Sequence, residues 1–300
     1  MEHPAYSQLR PVTASASVVL CPNQGYATLE GTNTWVIRAE GDPNSIVIDP
    51  GPEDEGHLNV LNSKADKVAL ILLTHRHGDH ADGAVRFRQL TGAPIRAQDK
   101  SYCREAEPVR DGEIISVPGV TPQLEVMASP GHTADSICYF VWSGVPHESE
   151  LEGIITGDTI AGRHTTMISE TDGDLGLYLN TLHTLRERGK NVPLLPGHGP
   201  DLPDLSVVAE KYLNRREQRL EQVKKARKKL GKTAPLKAIV DEIYTDVDPV
   251  LRDAAEQSTR VTVRYLDSLK AEKKARKEEA KGEAKADKGA KKEKKSKKKG

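Results

Sequence analysis

Three imidazoles and a carboxylate crowd into the six positions His75-Arg76-His77-Gly78-Asp79-His80, directly after the apolar run Val68 to Leu73. Such a segment limits the backbone that can precede it, because the donors are useful only if they converge. A strand ending at Leu73 meets that demand: side chains repeat every second residue along an extended chain, so His75 and His77 fall on one side. Gly78 then permits a sharp turn that swings Asp79 and His80 back toward the same point. Four donors of this kind from one segment suit one or two cations. The plainer alternative is a solvated loop, which fits a lone histidine better than three of them beside an aspartate.

Three later segments repeat the pattern of an apolar run, a glycine and a ligand-type residue. Leu124 to Ala128 leads to Ser129-Pro130-Gly131-His132, Ile154-Ile155 leads to Thr156-Gly157-Asp158, and Val192 to Leu195 leads to Pro196-Gly197-His198. Upstream, Ser45 to Ile48 runs into Asp49-Pro50-Gly51, a carboxylate on a turn that could orient a ligating histidine from behind.

In this order the five segments resemble the signature motifs of the metallo-β-lactamase superfamily, over about residues 15 to 200. The resemblance implies one metal held by His75, His77 and His132, a second held by Asp79, His80 and His198, and Asp158 bridging the two. Gly31-Thr32-Asn33-Thr34-Trp35 and the helical segment after residue 205 are similar to the β-lactamase-like protein 2 branch, which carries a winged-helix-like C-terminal domain. Two nearby cations can share a hydroxide, lowering the pKa of water from about 15.7 to near neutrality. Asp79 and Asp49 are then the catalytic candidates, Asp79 by orienting that hydroxide. Imidazole-rich ligation favours Zn2+, while Mn2+ or Fe2+ suits a His/Asp set nearly as well.

Composition agrees with this reading. The chain has no run of eighteen apolar residues, and Met1 to Tyr6 has neither the basic nor the apolar region of a signal peptide. Cys21, Cys103 and Cys138 are odd in number and widely spaced, which indicates neither a disulfide framework nor a thiolate zinc site. The expectation is a soluble cytoplasmic protein with no membrane contact, and nothing in the sequence specifies an oligomer. The formal net charge of zero hides a segregation: residues 1–210 hold 15 basic and 29 acidic side chains, and residues 211–300 hold 29 and 15.

Up to about Pro203, short β-branched runs alternate with Gly, Pro and Asp turns and with helical stretches at Ala81 to Leu90 and Leu175 to Arg188. This is the pattern of a four-layer α/β fold, an αββα sandwich, over residues 1–203. Residues 204–269 read as a helical, winged-helix-like domain with helices from about Ser206 to Leu230, from Leu236 to Tyr244, and from an Asp248-Pro249 cap onward. No β-hairpin wing follows the third helix. Residues 270–300 carry 15 basic and 6 acidic side chains and nothing apolar larger than alanine. That composition cannot bury a core, so a disordered tail with transient helix is expected.

Weaker candidates are Arg163 and His164, which could line a substrate mouth, and Tyr178, for which packing is the stronger reading. His3, His57, His147 and His183 fall outside the motifs and read as surface or packing residues. The leading functional expectation is a dinuclear metal-dependent hydrolase acting on single-stranded RNA, with the basic tail making weak nucleic-acid contact. The alternative is a hydrolase of small thioesters or lactones resembling glyoxalase II. A β-lactam hydrolase and a non-enzymatic nucleic-acid-binding protein are minor readings.

Overall fold

The computed structural model describes residues 3–231, 233–246, 248 and 251–296, with side chains to Glu279. Its first compact unit spans Met1–Gln218 and the second Arg219–Gly300.

Two sheets form the centre of the first unit. One is ordered β1 (Leu9–Pro11), β2 (Ala16–Leu20), β3 (Asn33–Ile37), β4 (Asn44–Ile48), β5 (Lys67–Leu72) and β6 (Ile95–Arg96). The other is ordered β11 (Leu194–Pro196), β10 (Leu151–Gly157), β9 (Ile137–Trp142), β8 (Gln123–Ala128) and β7 (Ile114–Ile115). Period-two alternation decides what each face buries. Trp35, Ile37, Ile46, Ile48 and Leu72 of the first sheet meet Leu124, Val126, Tyr139, Val141 and Ile155 of the second in the central core. The intervening residues Val36, Val47 and Ile71 face outward onto Leu58 and Leu61 of α1 (Glu55–Lys64) and Phe87 of α3 (Gly83–Thr91). On the far side, α4 (Leu175–Arg188) buries Tyr178, Leu182 and Leu185, and Arg188 lies over the Phe140 ring. The four-layer αββα sandwich is thus the observed fold.

Strand direction gathers the loops. β4 and β5 are parallel, as are β10 and β11, and β8 runs the same way as β10 because each is antiparallel to β9. Their C-terminal ends deliver Asp49, the His75–His80 segment, His132, Asp158 and His198 to one edge. Ile137 N donates to Thr74 O (2.8 Å) and the Tyr139 hydroxyl to Leu73 O (2.8 Å), tying the sheets together at that edge.

Some expectations need correction. The helical stretch from Ala81 to Leu90 is two helices, α2 (Gly78–Ala81) and α3, and Gly78 opens a helical turn instead of a sharp one. At Gly83 the backbone passes close to the preceding turn: a Cβ there would stand 2.6 Å from Pro52 O. α5 (Leu205–Leu230) runs through the Gln218–Arg219 division between the two units. Leu205, Ala209, Tyr212 and Leu213 in its first half are buried, and the Tyr212 hydroxyl donates to Ala161 O (3.1 Å), so this half belongs to the sandwich.

In the second unit, the rest of α5, α6 (Leu236–Ile243) and α7 (Arg252–Ser296) enclose a small core of Val223, Ala226, Ile239 and Leu266. Gly231, at φ 97°, ends α5 in the left-handed conformation that its glycine allows. Pro249 of the expected cap lies outside the described residues. Among those described, no strand follows β11, and the elements of the unit are helices. The lysine-rich stretch continues α7 as helix, and residues 267–279 are all exposed along it, as its lack of core-forming side chains requires. No described helix is long and apolar enough to cross a membrane.

Candidate metal centre

Seven side chains converge at the gathered edge as two groups, His75, His77, His132 and Asp158, and Asp79, His80 and His198. In the first, His77 Nδ1 stands 3.1 Å from both His75 Nε2 and His132 Nε2. In the second, His198 Nε2 lies 3.2 Å from His80 Nε2 and 3.1 Å from Asp79 Oδ2. Asp158 spans them, with Oδ1 3.3 Å from His198 Nε2 and Oδ2 3.7 Å from His132 Nε2.

The outer nitrogen of each buried ring explains why the inner ones converge. His80 Nδ1 donates to Asp49 Oδ2 (2.8 Å), His132 Nδ1 to Met167 O (2.6 Å) and His198 Nδ1 to Gly31 O (3.1 Å). His75 Nδ1 lies 3.0 Å from Thr74 Oγ1, whose own proton goes to Asp49 Oδ2 (2.6 Å). With Nδ1 committed to these acceptors, each ring turns its Nε2 inward as the atom free to meet a cation. Asp158 Oδ1, buried and without a hydrogen-bond partner, points the same way. This donor set fits divalent cations.

The electrostatics divide along the same line. Burial pushes His75 well below the ordinary histidine value and lowers His132 too, which keeps both neutral. Burial also acts on His80 and His198, but the carboxylates outweigh it: Asp158 and Asp49 raise His80 well above its ordinary value, and Asp158 and Asp79 raise His198. Burial alone would raise Asp158, yet His198 and His80 hold it well below the carboxylate range. The second group therefore carries protons that a cation would displace.

Backbone close approach builds the loops. Gly131 has φ 144°, and a Cβ there would stand 2.4 Å from Tyr178 Cα; at Gly197 it would meet His80 Cε1 at 2.7 Å and Asp158 Oδ1 at 2.9 Å. Larger residues at either position would displace the site itself.

The remaining candidates fall elsewhere. Asp49 lies behind the ligand loops, where its carboxylate meets His80 Nδ1, Thr74 N and Thr74 Oγ1. Tyr178 is fully buried, its hydroxyl donating to Thr159 O (2.7 Å). Arg163 pairs with Glu30 and borders a cavity of about 360 Å³ that includes Asn33 and Gly199, and His164 is exposed at φ 65°. Neither joins the seven. Thr74 and the carbonyls of Met167 and Gly31 are functional partners that the motifs do not single out: Thr74 has its place beside His75 as a signal, whereas a carbonyl has no signature.

The sandwich and its paired donor groups at one edge define a class of metal-site enzymes. The chain belongs to the metallo-beta-lactamase superfamily, whose family model matches residues 27–198. It is 31% identical over 252 residues, 80% of this chain and 69% of the relative, to an atrochrysone carboxyl ACP thioesterase of Pseudocercospora fijiensis. A protein of the same name from Aspergillus chevalieri is 29% identical, over 73% of this chain and 68% of the relative. Among solved structures, a beta-lactamase domain protein from Burkholderia ambifaria matches with a TM-score of 0.70 at 16% identity, covering 87% of this chain and 88% of that one. A metallo-beta-lactamase family protein from Thermus thermophilus matches at 0.67 and 17%, covering 86% and 94%. The relatives from Pseudocercospora and Aspergillus carry thioesterase names, so the similarity to the β-lactamase-like protein 2 branch gives way to the superfamily assignment.

Proposed function

We propose that this enzyme hydrolyses acyl thioesters, using two divalent cations held by the His75, His77, His132 group and the Asp79, His80, His198 group, with Asp158 shared. The bridging position of Asp158 carries the chemistry, and the likeness to relatives named thioesterases supports the substrate class. Divalent cations there would supply Lewis acidity and a water activated near neutral pH. The chain's own residues do the rest. Asp158 keeps the groups at a constant separation, Asp79 offers its carboxylate beside His198, and Asp49 holds His80 and Thr74 from behind. Zn2+ suits the imidazole-rich set best.

The single-stranded RNA reading is the weaker of the two. Residues 1–210 hold 15 basic and 29 acidic side chains, and such a surface repels a polyanion approaching the site. The test is turnover of an acyl-coenzyme A thioester, a lactone, a β-lactam and single-stranded RNA by protein loaded with Zn2+. Thioester cleavage that disappears in His77→Ala is expected. RNA cleavage without thioester turnover would overturn the proposal.

A further inference from the structure

Arg76 stands between two ligand-type histidines, yet its guanidinium leaves the centre. It forms a two-pronged pair with Asp172, Nη2 reaching Oδ1 at 2.6 Å, and Asp135 Oδ1 lies 3.9 Å from Nη1. The Asp172 carboxylate is itself a junction. It accepts from Ala134 N (3.0 Å), two residues beyond His132, and from Ser169 Oγ (2.8 Å), and the Arg76 hydrogen bond holds its carboxyl well below the usual range.

The segment carrying Asp172 is laced along the His132 turn. Ser169 N donates to His132 O (2.8 Å), Asp174 N to Gly131 O (3.0 Å), and Met167 O receives the His132 Nδ1 proton. Residues 166–174 thus form a strap that sets the position of His132. Arg76 couples that strap to the loop bearing His75 and His77, through the Asp172 carboxylate and, at 3.3 Å, through Thr171 Oγ1.

We propose that Arg76 and Asp172 are positioning residues that hold His132 in register with His75 and His77, and so set the affinity of the first group for its cation. The inference rests on the metal reading given above. A two-pronged guanidinium–carboxylate pair fixes both distance and angle, which a lysine ammonium cannot do. In the second group, His80 is oriented by Asp49 and His198 by Gly31 O.

The experiment is competition for Zn2+ against a chelator of known affinity, with the absorption spectrum of the Co2+-substituted protein, on wild type, Asp172→Asn and Arg76→Lys. Partners behind metal-ligating histidines commonly contribute about 10 to 100-fold in affinity. One of the two Zn2+ equivalents should weaken by about that factor in Asp172→Asn, and by less in Arg76→Lys, which keeps the charge. The other equivalent should hold, and the Co2+ bands of the weakened site should shift. Unchanged affinities and spectra in both variants, or equal weakening of both equivalents, would overturn the brace. So would a lower melting temperature of the metal-free variants with wild-type affinity, because the pair would then serve the fold alone. Wild-type protein that takes up no Zn2+ would instead remove the metal reading itself, a result distinct from all of these.

Discussion

His80 Nδ1 lies 2.8 Å from Asp49 Oδ2, and both side chains are closed to solvent at 0% and 1% exposure. Asp49 also accepts from Thr74 N (2.7 Å) and Thr74 Oγ1, so one buried carboxylate orients His80 directly and His75 through Thr74. It does so from the left-handed backbone region, at φ 54°. Asparagine tolerates that backbone and nearly matches the shape, but lacks the charge. Asp49→Asn is therefore expected to fold, and to lose about 10 to 100-fold in metal affinity and a comparable factor in turnover. Wild-type metal affinity in this variant, measured by chelator competition, would remove Asp49 from the account.

Metal content follows from the two donor groups. Protein purified without chelator is expected to approach two equivalents per chain, and His77→Ala to lose one together with activity. Removal by chelator should leave the sandwich folded, because the central core of Trp35, Ile48, Tyr139 and Leu195 is built from strands and needs no donor from the loops. Complete loss of far-ultraviolet circular dichroism on chelation would contradict this.

His57 supplies a pH dependence separate from the centre. Burial lowers its imidazole from 6.5 to about 4, where it lies 2.9 Å from Thr34 Oγ1. The folded state keeps this ring neutral while the unfolded chain takes a proton below its ordinary value. The resulting stability is fully present above pH 6.5 and is lost as pH falls toward about 4, by about 3 kcal/mol at most. Metal-free His57→Asn should show a flatter melting temperature between those limits than metal-free wild type. Identical slopes would show that His57 is not the group responsible.

The thiols give a simpler check. Burial pushes Cys21 up to about 12 and Cys138 up to about 11, whereas Cys103 is half-buried. Because the thiolate is the reactive form, native protein at pH 8 should release at most one equivalent with a disulfide reagent, and denatured protein three. Rapid reaction of more than one native thiol would mean that the core opens readily.

What is legible in the sequence is what is local. Alternating apolar runs and the glycines before His132, Asp158 and His198 carry the strand ends and the donors in short windows, and α4 is readable to its bounds. The brace joins residues 96 apart, Arg76 and Asp172, and neither segment bears a mark of the other. The first half of α5 shows the same limit: Leu205, Tyr212 and Leu213 have ordinary helical spacing, and only the outer face they cover assigns them to the sandwich. Tyr178 is a milder case, since its place in an apolar helical run favours packing, in keeping with its burial.

The lysine-rich extension decides between the two substrate readings. Residues 270–300 carry 15 basic and 6 acidic side chains, and those described up to Glu279 are exposed. A chain ending at Leu269 retains Leu266 in the small core and the Arg227–Asp267 pair (2.8 Å), so its melting temperature should match that of the full chain. Thioester turnover should also be unchanged, since no donor of the centre lies beyond His198. RNA behaves differently. Every phosphate of a single strand that the protein ceases to neutralise lowers the slope of log affinity against log salt by about 0.7, so an RNA-binding extension would reveal itself as a flatter slope after truncation. Equal thioester turnover with equal RNA affinity and slope is the expected outcome. A large fall in RNA binding, joined to RNA cleavage by the full chain, would return the nucleic-acid reading to first place.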